Sequence, residues 1–250
     1  MKENGHLLNV KNVVSGYGQV IIIRGVSIHI NHGEIVTIIG PNGSGKSTLL
    51  KTIFGILKPM EGQITFENCN IAGLRPDEVM AQGIGYVPQL GNIFRTLTVQ
   101  ENLEMGAYTR TDDLDVQNDM QELFEMFPIL KQRKKVRAGN LSGGEAQMLA
   151  ISRALMGQPR LLILDEPSAS VAPALVDRIL EKLVEIQNTG KTLLVVEQNA
   201  RKSLAISDRG YVLVMGKKVH EGAAKQMLSE EIGQLFLGSE TESKLREIST

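Results

Sequence analysis

Along residues 7–30 apolar and polar positions alternate, with Val and Ile dominant, and Gly16, Gly18 and Gly25 are expected to divide this stretch into short strands of an antiparallel layer. Residues 34–39 read differently. Apolar side chains follow one another without alternation, as in a strand covered on both faces, and the run feeds a glycine-rich loop and then a helix over 46–54. Between 89 and 156 the period changes: Met120, Leu123, Phe124, Phe127 and Leu130 recur at helical spacing and no run reads as a buried strand, which predicts a helical lobe inserted into a sheet domain. Strand runs return at 161–164, 192–197 and 211–215, the first two separated by a helix with the apolar face Leu175, Ile179, Leu183 and Ile186. Strand, helix and strand in that order predict a parallel sheet wrapped by helices. The expected organisation is one domain over 1–237, with a sheet core at 1–88 and 157–237, a helical subdomain at 89–156 and a polar, frayed tail at 238–250.

Composition narrows this picture. Across 250 residues, 42% are apolar and 22% charged, which is ordinary for a globular chain with one substantial core. Lys and Arg number 27 against 28 Asp and Glu, so no net field draws the chain to nucleic acid or anionic lipid, and the basic run at 131–137 reads as a solvated connector. No apolar run reaches the roughly 18 residues of a membrane span, and the first residues lack the apolar stretch of a secretory signal. Cys69 is the single cysteine, so no internal disulfide forms and the cytosol is the expected compartment.

The chemistry sits in three segments. In Gly40-Pro41-Asn42-Gly43-Ser44-Gly45-Lys46-Ser47, the glycines let successive backbone N–H groups turn inward around phosphate oxygens, and the helix that follows presents its positive end to the same anion. Lys46 is placed to reach the β- and γ-phosphates, Ser47 to give its hydroxyl to Mg²⁺, and Thr48 to hydrogen-bond a nearby phosphate. The strand at 161–164 ends in Asp165, positioned for the magnesium shell, and Glu166, positioned to take a proton from an attacking water. Between these two segments lies Leu141-Ser142-Gly143-Gly144-Glu145. By composition, the loop and this pentapeptide occur together in that order by chance in about one chain in 10⁵.

On these motifs the chain resembles the ATP-binding subunits of ABC transporters, over about residues 7–237. The resemblance implies an α/β P-loop NTPase fold of ABC type, with a mixed sheet core, an antiparallel β layer and an inserted helical subdomain. It implies ATP and Mg²⁺ as cofactors, and a head-to-tail dimer with ATP held between the loop of one subunit and Ser142, Gly143, Gly144 and Glu145 of the other. Tyr17 then matches the aromatic residue that stacks on adenine. Gln89 matches the glutamine that touches Mg²⁺ and the attacking water, and residues 90–98, Phe94 among them, match the groove that receives a membrane subunit, a buried satellite cluster being the other reading of Phe94. The implied partners are membrane permease subunits and, indirectly, a solute-binding protein, with the chain peripheral on the cytoplasmic face of the membrane and no nucleic acid involved.

Two positions depart from the family pattern. Where most of these ATPases place a histidine near the γ-phosphate, this chain reads Val196-Glu197-Gln198-Asn199, and Gln198 donates a hydrogen bond without a positive charge. Where an aspartate usually reaches across the dimer, it has Ala172. Both departures resemble the second ATPase subunit of branched-chain amino acid importers, which makes a different ATPase the preferred dimer partner and a second copy the alternative. The competing readings are an ATPase for lipid or another solute, a soluble ABC ATPase of cofactor assembly, and a nucleotide-binding switch without turnover.

Overall fold

Strand β3 (Ile35–Ile39) is buried at all five positions, because strands β8 (Thr192–Val196) and β9 (Arg209–Val214) flank it in parallel and both of its faces are covered. The computed structural model describes residues 5–90, 93–169 and 171–229; the expected polar tail at 238–250 lies outside them. Strands β7 (Leu161–Asp165) and β6 (Ile84–Val87) extend the sheet in parallel, and β10 (Lys217–Ala223) closes the other side as an antiparallel edge, giving the order β10-β9-β3-β8-β7-β6. The alternation of side chains along each strand divides the core in two. Val36, Ile38, Leu161, Ile163, Leu194 and Val196 face one apolar cluster, shared with the antiparallel layer and helix α1 (Lys46–Ile53). Leu162, Leu164, Leu193 and Val195 face a second cluster, shared with the helices.

The antiparallel layer has the order β2-β1-β4-β5, from β1 (Leu8–Tyr17), β2 (Val20–Ile30), β4 (Glu61–Phe66) and β5 (Cys69–Asn70). The glycines do not cut it into short strands as expected. Only Gly18 forms a turn. Gly16 lies inside β1 at a shift of register, where an added Cβ would stand 1.9 Å from the Val20 carbonyl oxygen, so this glycine marks a close backbone approach and not a strand end.

Residues 89–156 carry α3 (Val99–Gly106), α4 (Asp113–Met126), α5 (Pro128–Gln132) and α6 (Gly143–Leu155), and no named strand among those described. The periodic run 120–130 spans α4 and α5, because Pro128 ends the first helix and occupies the first turn of the second. Its Met120, Leu123, Phe124, Phe127 and Leu130 are all buried in the same cluster as Leu162 and Leu193, so these helices share one core with the sheet. Fully burying side chains of this size is worth about 1.5–3 kcal/mol each. Helix α7 (Pro173–Asn188) buries Ile179, Leu183 and Ile186 against that face, with Leu175 at the partly exposed end. Short helices α2 (Pro76–Ala81), α8 (Ala200–Ala205) and α9 (Ala224–Ser229) complete the described chain.

Candidate nucleotide site and its glutamine-held carboxylate

The loop between β3 and α1 is fixed from behind. Gly40 has φ +152°, and a Cβ there would sit 2.1 Å from the Leu213 carbonyl oxygen, so the backbone of β9 admits only glycine at this point. The turn after β9 adds a tether, the Gly216 N–H donating to the Ser44 carbonyl at 3.0 Å. Helix α1 starts at Lys46 after Gly45, itself left-handed at φ +100°. A cavity of about 240 Å³ opens above, lined by Tyr17, Asn42, Gly43, Gly45, Lys46, Ser47, Thr48 and Glu166 together with Ile22 of β2. Tyr17 is 48% exposed at its mouth, its hydroxyl 3.5 Å from Lys51 Nζ.

Lys46 is buried, and its ammonium donates to the carbonyls of Gly40 at 2.8 Å and Pro41 at 3.2 Å. Burial lowers its pKa, against the charges of Glu166 and Asp165. Ser47 Oγ donates to Asp165 Oδ1 at 2.9 Å, and the Tyr86 hydroxyl donates to Asp165 Oδ2 at 3.3 Å. Burial raises the Asp165 pKa, in part offset by these two donors. A serine hydroxyl beside a carboxylate is a hard-oxygen pair of the kind Mg²⁺ takes along with substrate phosphates. Among the described residues no group of three or more His, Cys, Asp or Glu gathers to hold a metal, and a magnesium ion shared with phosphates does not require one.

Glu166 follows directly and is buried, at φ +51°. For a residue with a side chain that conformation costs on the order of 1–3 kcal/mol, and it persists only where the surroundings impose it. Here the Glu166 N–H donates to the Val196 carbonyl at 2.9 Å, while its Oε2 accepts from Gln89 Nε2 at 2.8 Å and from Gln198 Nε2 at 2.7 Å. The carboxylate at the end of β7 is thus held by one glutamine from the end of β6 and one from the end of β8.

Residues 142–145 are not part of the cavity wall. Ser142 caps α6: its Oγ accepts from the Glu145 N–H at 3.4 Å, and Glu145 Oε2 accepts from the Ser142 N–H at 2.8 Å. Arg133, from the basic run read as solvated, pairs with Glu145 Oε1 at 2.9 Å. Burial raises the pKa of Glu145, but the Ser142 hydrogen bonds and Arg133 outweigh it and leave the carboxyl below its ordinary range. Ser142 and Gly143 are exposed, so the N-terminus of this 13-residue helix faces outward.

Ala172 caps α7 without a side-chain hydrogen bond. Ala172→Asp is expected to stabilise the chain by about 1 kcal/mol through an N-cap contact, seen as a rise of roughly 2–4 °C in melting temperature. An unchanged or lowered melting temperature would show that the carboxylate does not reach the helix.

Sequence reasoning missed Tyr86, Ser168, Asn102 and Ile22. Asn102 is fully buried and clasps the loop before α3, its Oδ1 accepting from the Phe94 N–H at 2.8 Å and its Nδ2 donating to the carbonyls of Phe94 at 3.0 Å and Thr98 at 2.8 Å. The local signal was present in the Thr98 to Glu101 capping box that starts the helix. Phe94 is 44% exposed with the Arg153 guanidinium 4.8 Å from its ring centroid, and is not in the buried satellite cluster considered for it.

A parallel sheet with a phosphate loop, a hydroxyl–carboxylate pair and a held glutamate at its strand ends defines a P-loop nucleotide hydrolase. The comparisons with known proteins narrow the class: the ABC transporter family matches residues 23–169, and the chain belongs to it. It is an ATP-hydrolysing subunit of the ABC type.

The high-affinity branched-chain amino acid transport ATP-binding protein BraG of Pseudomonas aeruginosa is 42% identical over 93% of this chain and 100% of its own length. The probable branched-chain amino acid transport ATP-binding protein LivF of Archaeoglobus fulgidus is 39% identical over 90% and 95%. The lipopolysaccharide export system ATP-binding protein LptB of Haemophilus influenzae is 34% identical over 94% and 98%. Among solved structures, an ATP-binding cassette of an ABC transporter in its ADP conformation superposes with a TM-score of 0.83 at 33% identity, covering 94% of this chain and 100% of the other. A dimeric cassette in a post-hydrolysis state with ADP and phosphate gives 0.76 at 29%, covering 87% and 98%.

Proposed function

We propose that this chain energises the import of branched-chain amino acids through a separate membrane permease, as a peripheral subunit on the cytoplasmic face. The solute is read from the branched-chain amino acid transport relatives at 42% and 39% identity, and the paired subunits from the divided site: Lys46, Ser47 and Glu166 line one cavity, while Ser142 and Gly143 stand exposed outside its wall. An outward helix N-terminus that favours anions has its use when a second ATPase subunit brings a γ-phosphate to it. In that dimer, ATP lies between the loop of one subunit and Ser142, Gly143, Gly144 and Glu145 of the other. A different ATPase is the preferred partner, since Gln198 and Ala172 give this chain a site unlike the family's usual one.

Within the site, Tyr17 stacks on adenine, and the backbone N–H groups of residues 42–48 with the Lys46 ammonium hold the phosphates. Ser47, Asp165 and Gln89 hold Mg²⁺, which when bound offsets the phosphate charge. Water attacks the γ-phosphorus as the bond to the β–γ bridging oxygen breaks, and Glu166 takes the proton. Gln89 and Gln198 orient the carboxylate through Oε2. Loss of the γ-phosphate lets the dimer open, and the helical subdomain at 89–156 passes this motion to the permease through residues 90–98.

The test is reconstitution with the permease and its solute-binding protein. Leucine, isoleucine or valine is expected to raise ATP turnover several-fold, and chelation of Mg²⁺ to return it to background. Turnover indifferent to these amino acids but raised by a lipid would move the chain to an export system such as that of LptB.

A further inference from the structure

We propose that Glu197 is a positioning residue for hydrolysis, fixing the turn after Glu166 to the end of β8; this rests on the reading of Glu166 as proton acceptor. Glu197 is 3% exposed, a carboxylate buried beyond the last residue of β8. It accepts two hydrogen bonds from one residue, from the Ser168 N–H to Oε1 at 2.9 Å and from Ser168 Oγ to Oε2 at 2.9 Å. Burial raises its pKa, with the Glu166 charge acting the same way and the Ser168 and Gln198 donors opposing it. A group this costly to bury belongs where its contacts are used.

The contact joins the two segments that hold the reactive carboxylate. Ser168 lies two residues after Glu166, within a turn in which the Ala169 N–H donates to the Glu166 carbonyl at 3.1 Å and the Val171 N–H to the Ser168 carbonyl at 3.2 Å. On the other side, Glu197 immediately precedes Gln198, whose amide donates to Glu166 Oε2 at 2.7 Å. The left-handed backbone of Glu166 is therefore braced before it by the β7–β8 ladder and after it by the Glu197–Ser168 pair. Released from that pair, the turn can relax toward an unstrained conformation, and the carboxylate moves away from the water it must deprotonate. The same turn leads to Ala172 and the start of α7.

The two donors make the charge separable from the geometry. In Glu197→Gln the amide oxygen still accepts from the Ser168 N–H, and the amide nitrogen donates to Ser168 Oγ once that hydroxyl turns. Glu197→Ala leaves both donors without an acceptor. For the full-length chain, in complex with its permease where turnover requires it, Glu197→Ala is expected to lower kcat about 10- to 100-fold, the scale of a displacement near 1 Å at a reacting group. KM and the Kd for ATP stay within twofold, and Glu197→Gln recovers most of kcat. Ser168→Ala, which keeps the backbone contact, falls between the two.

A purely structural Glu197 predicts a lower melting temperature with an unchanged kcat per folded molecule, and that result overturns the proposal. So does Glu197→Gln behaving like Glu197→Ala. Glu166→Gln, run in parallel, separates the two readings: if it still turns over like the parent chain the proton-acceptor reading fails, whereas an inactive Glu166→Gln beside a fully active Glu197→Ala removes only the brace.

Discussion

Replacing Glu166 with glutamine is expected to lower ATP turnover by roughly 10²- to 10⁴-fold, the usual worth of a positioned general base. On the barrier this is about 3–5 kcal/mol. The substitution isolates proton transfer because the surrounding contacts survive it. Gln89 and Gln198 both donate to Oε2 of the native carboxylate, and an amide oxygen at that place accepts from both. The backbone keeps its anchor to Val196. Nucleotide affinity should therefore persist, and because the sandwiched γ-phosphate is no longer removed, the ATP-bound dimer should accumulate. Turnover by phosphate release and association by light scattering measure the two halves of this expectation. A variant that turns over within threefold of the parent, or that fails to associate with a partner ATPase in ATP, counts against Glu166 as the base or against the sandwich.

The parts of this site visible in the sequence are those built from neighbours along the chain. Residues 40–47 form their loop locally, since glycine spacing and the helix after it need no distant partner, and the continuous apolar runs at 161–164 and 193–196 place the residues after them at the same edge of a parallel sheet. Contacts that cross between elements left no local trace. Nothing in residues 20–30 marks Ile22 as a cavity wall, and nothing beside Tyr86 signals that its hydroxyl meets Asp165. The Gly16 reading failed for a related reason: a glycine that ends a strand and one that admits a neighbouring backbone look alike until the neighbour is known, while Gly25 lies within β2 at φ +74° with open space where a Cβ would be. Edge strand β10 escaped because its charged, half-exposed positions lack an apolar period.

The departure at Gln198 gains a physical meaning from its partner. A histidine at this point could bring a proton and a positive charge toward the γ-phosphate, whereas a glutamine brings neither and here donates to Glu166 alongside Gln89. Two neutral donors on one oxygen fix the direction of the carboxylate without adding a titrating group to the site. Among the side chains lining the cavity, the positive charge is then that of Lys46.

Lys46→Ala is accordingly expected to weaken ATP binding by roughly 10²- to 10⁴-fold, taking about 1.5–3 kcal/mol for each charge-assisted contact to the β- and γ-phosphates and the conversion of about 1.4 kcal/mol per decade. The lower part of that range is favoured by what Lys46 does before nucleotide arrives. Its ammonium occupies the carbonyls of Gly40 and Pro41, and swinging to the phosphates gives up those bonds, so only the difference reaches the affinity. Removing the side chain also leaves the negative charges of Asp165 and Glu166 without a cation that interacts with both. Phosphate then approaches two carboxylates with one fewer counter-charge, which pushes the effect back up. Lys46→Met, which keeps the length of the stem and removes the charge, should behave like alanine if charge dominates and like the parent if packing does. Titration calorimetry with ATP decides between them, and an affinity for Lys46→Met within threefold of the parent would mean that the loop backbone and α1 hold the phosphates without the lysine.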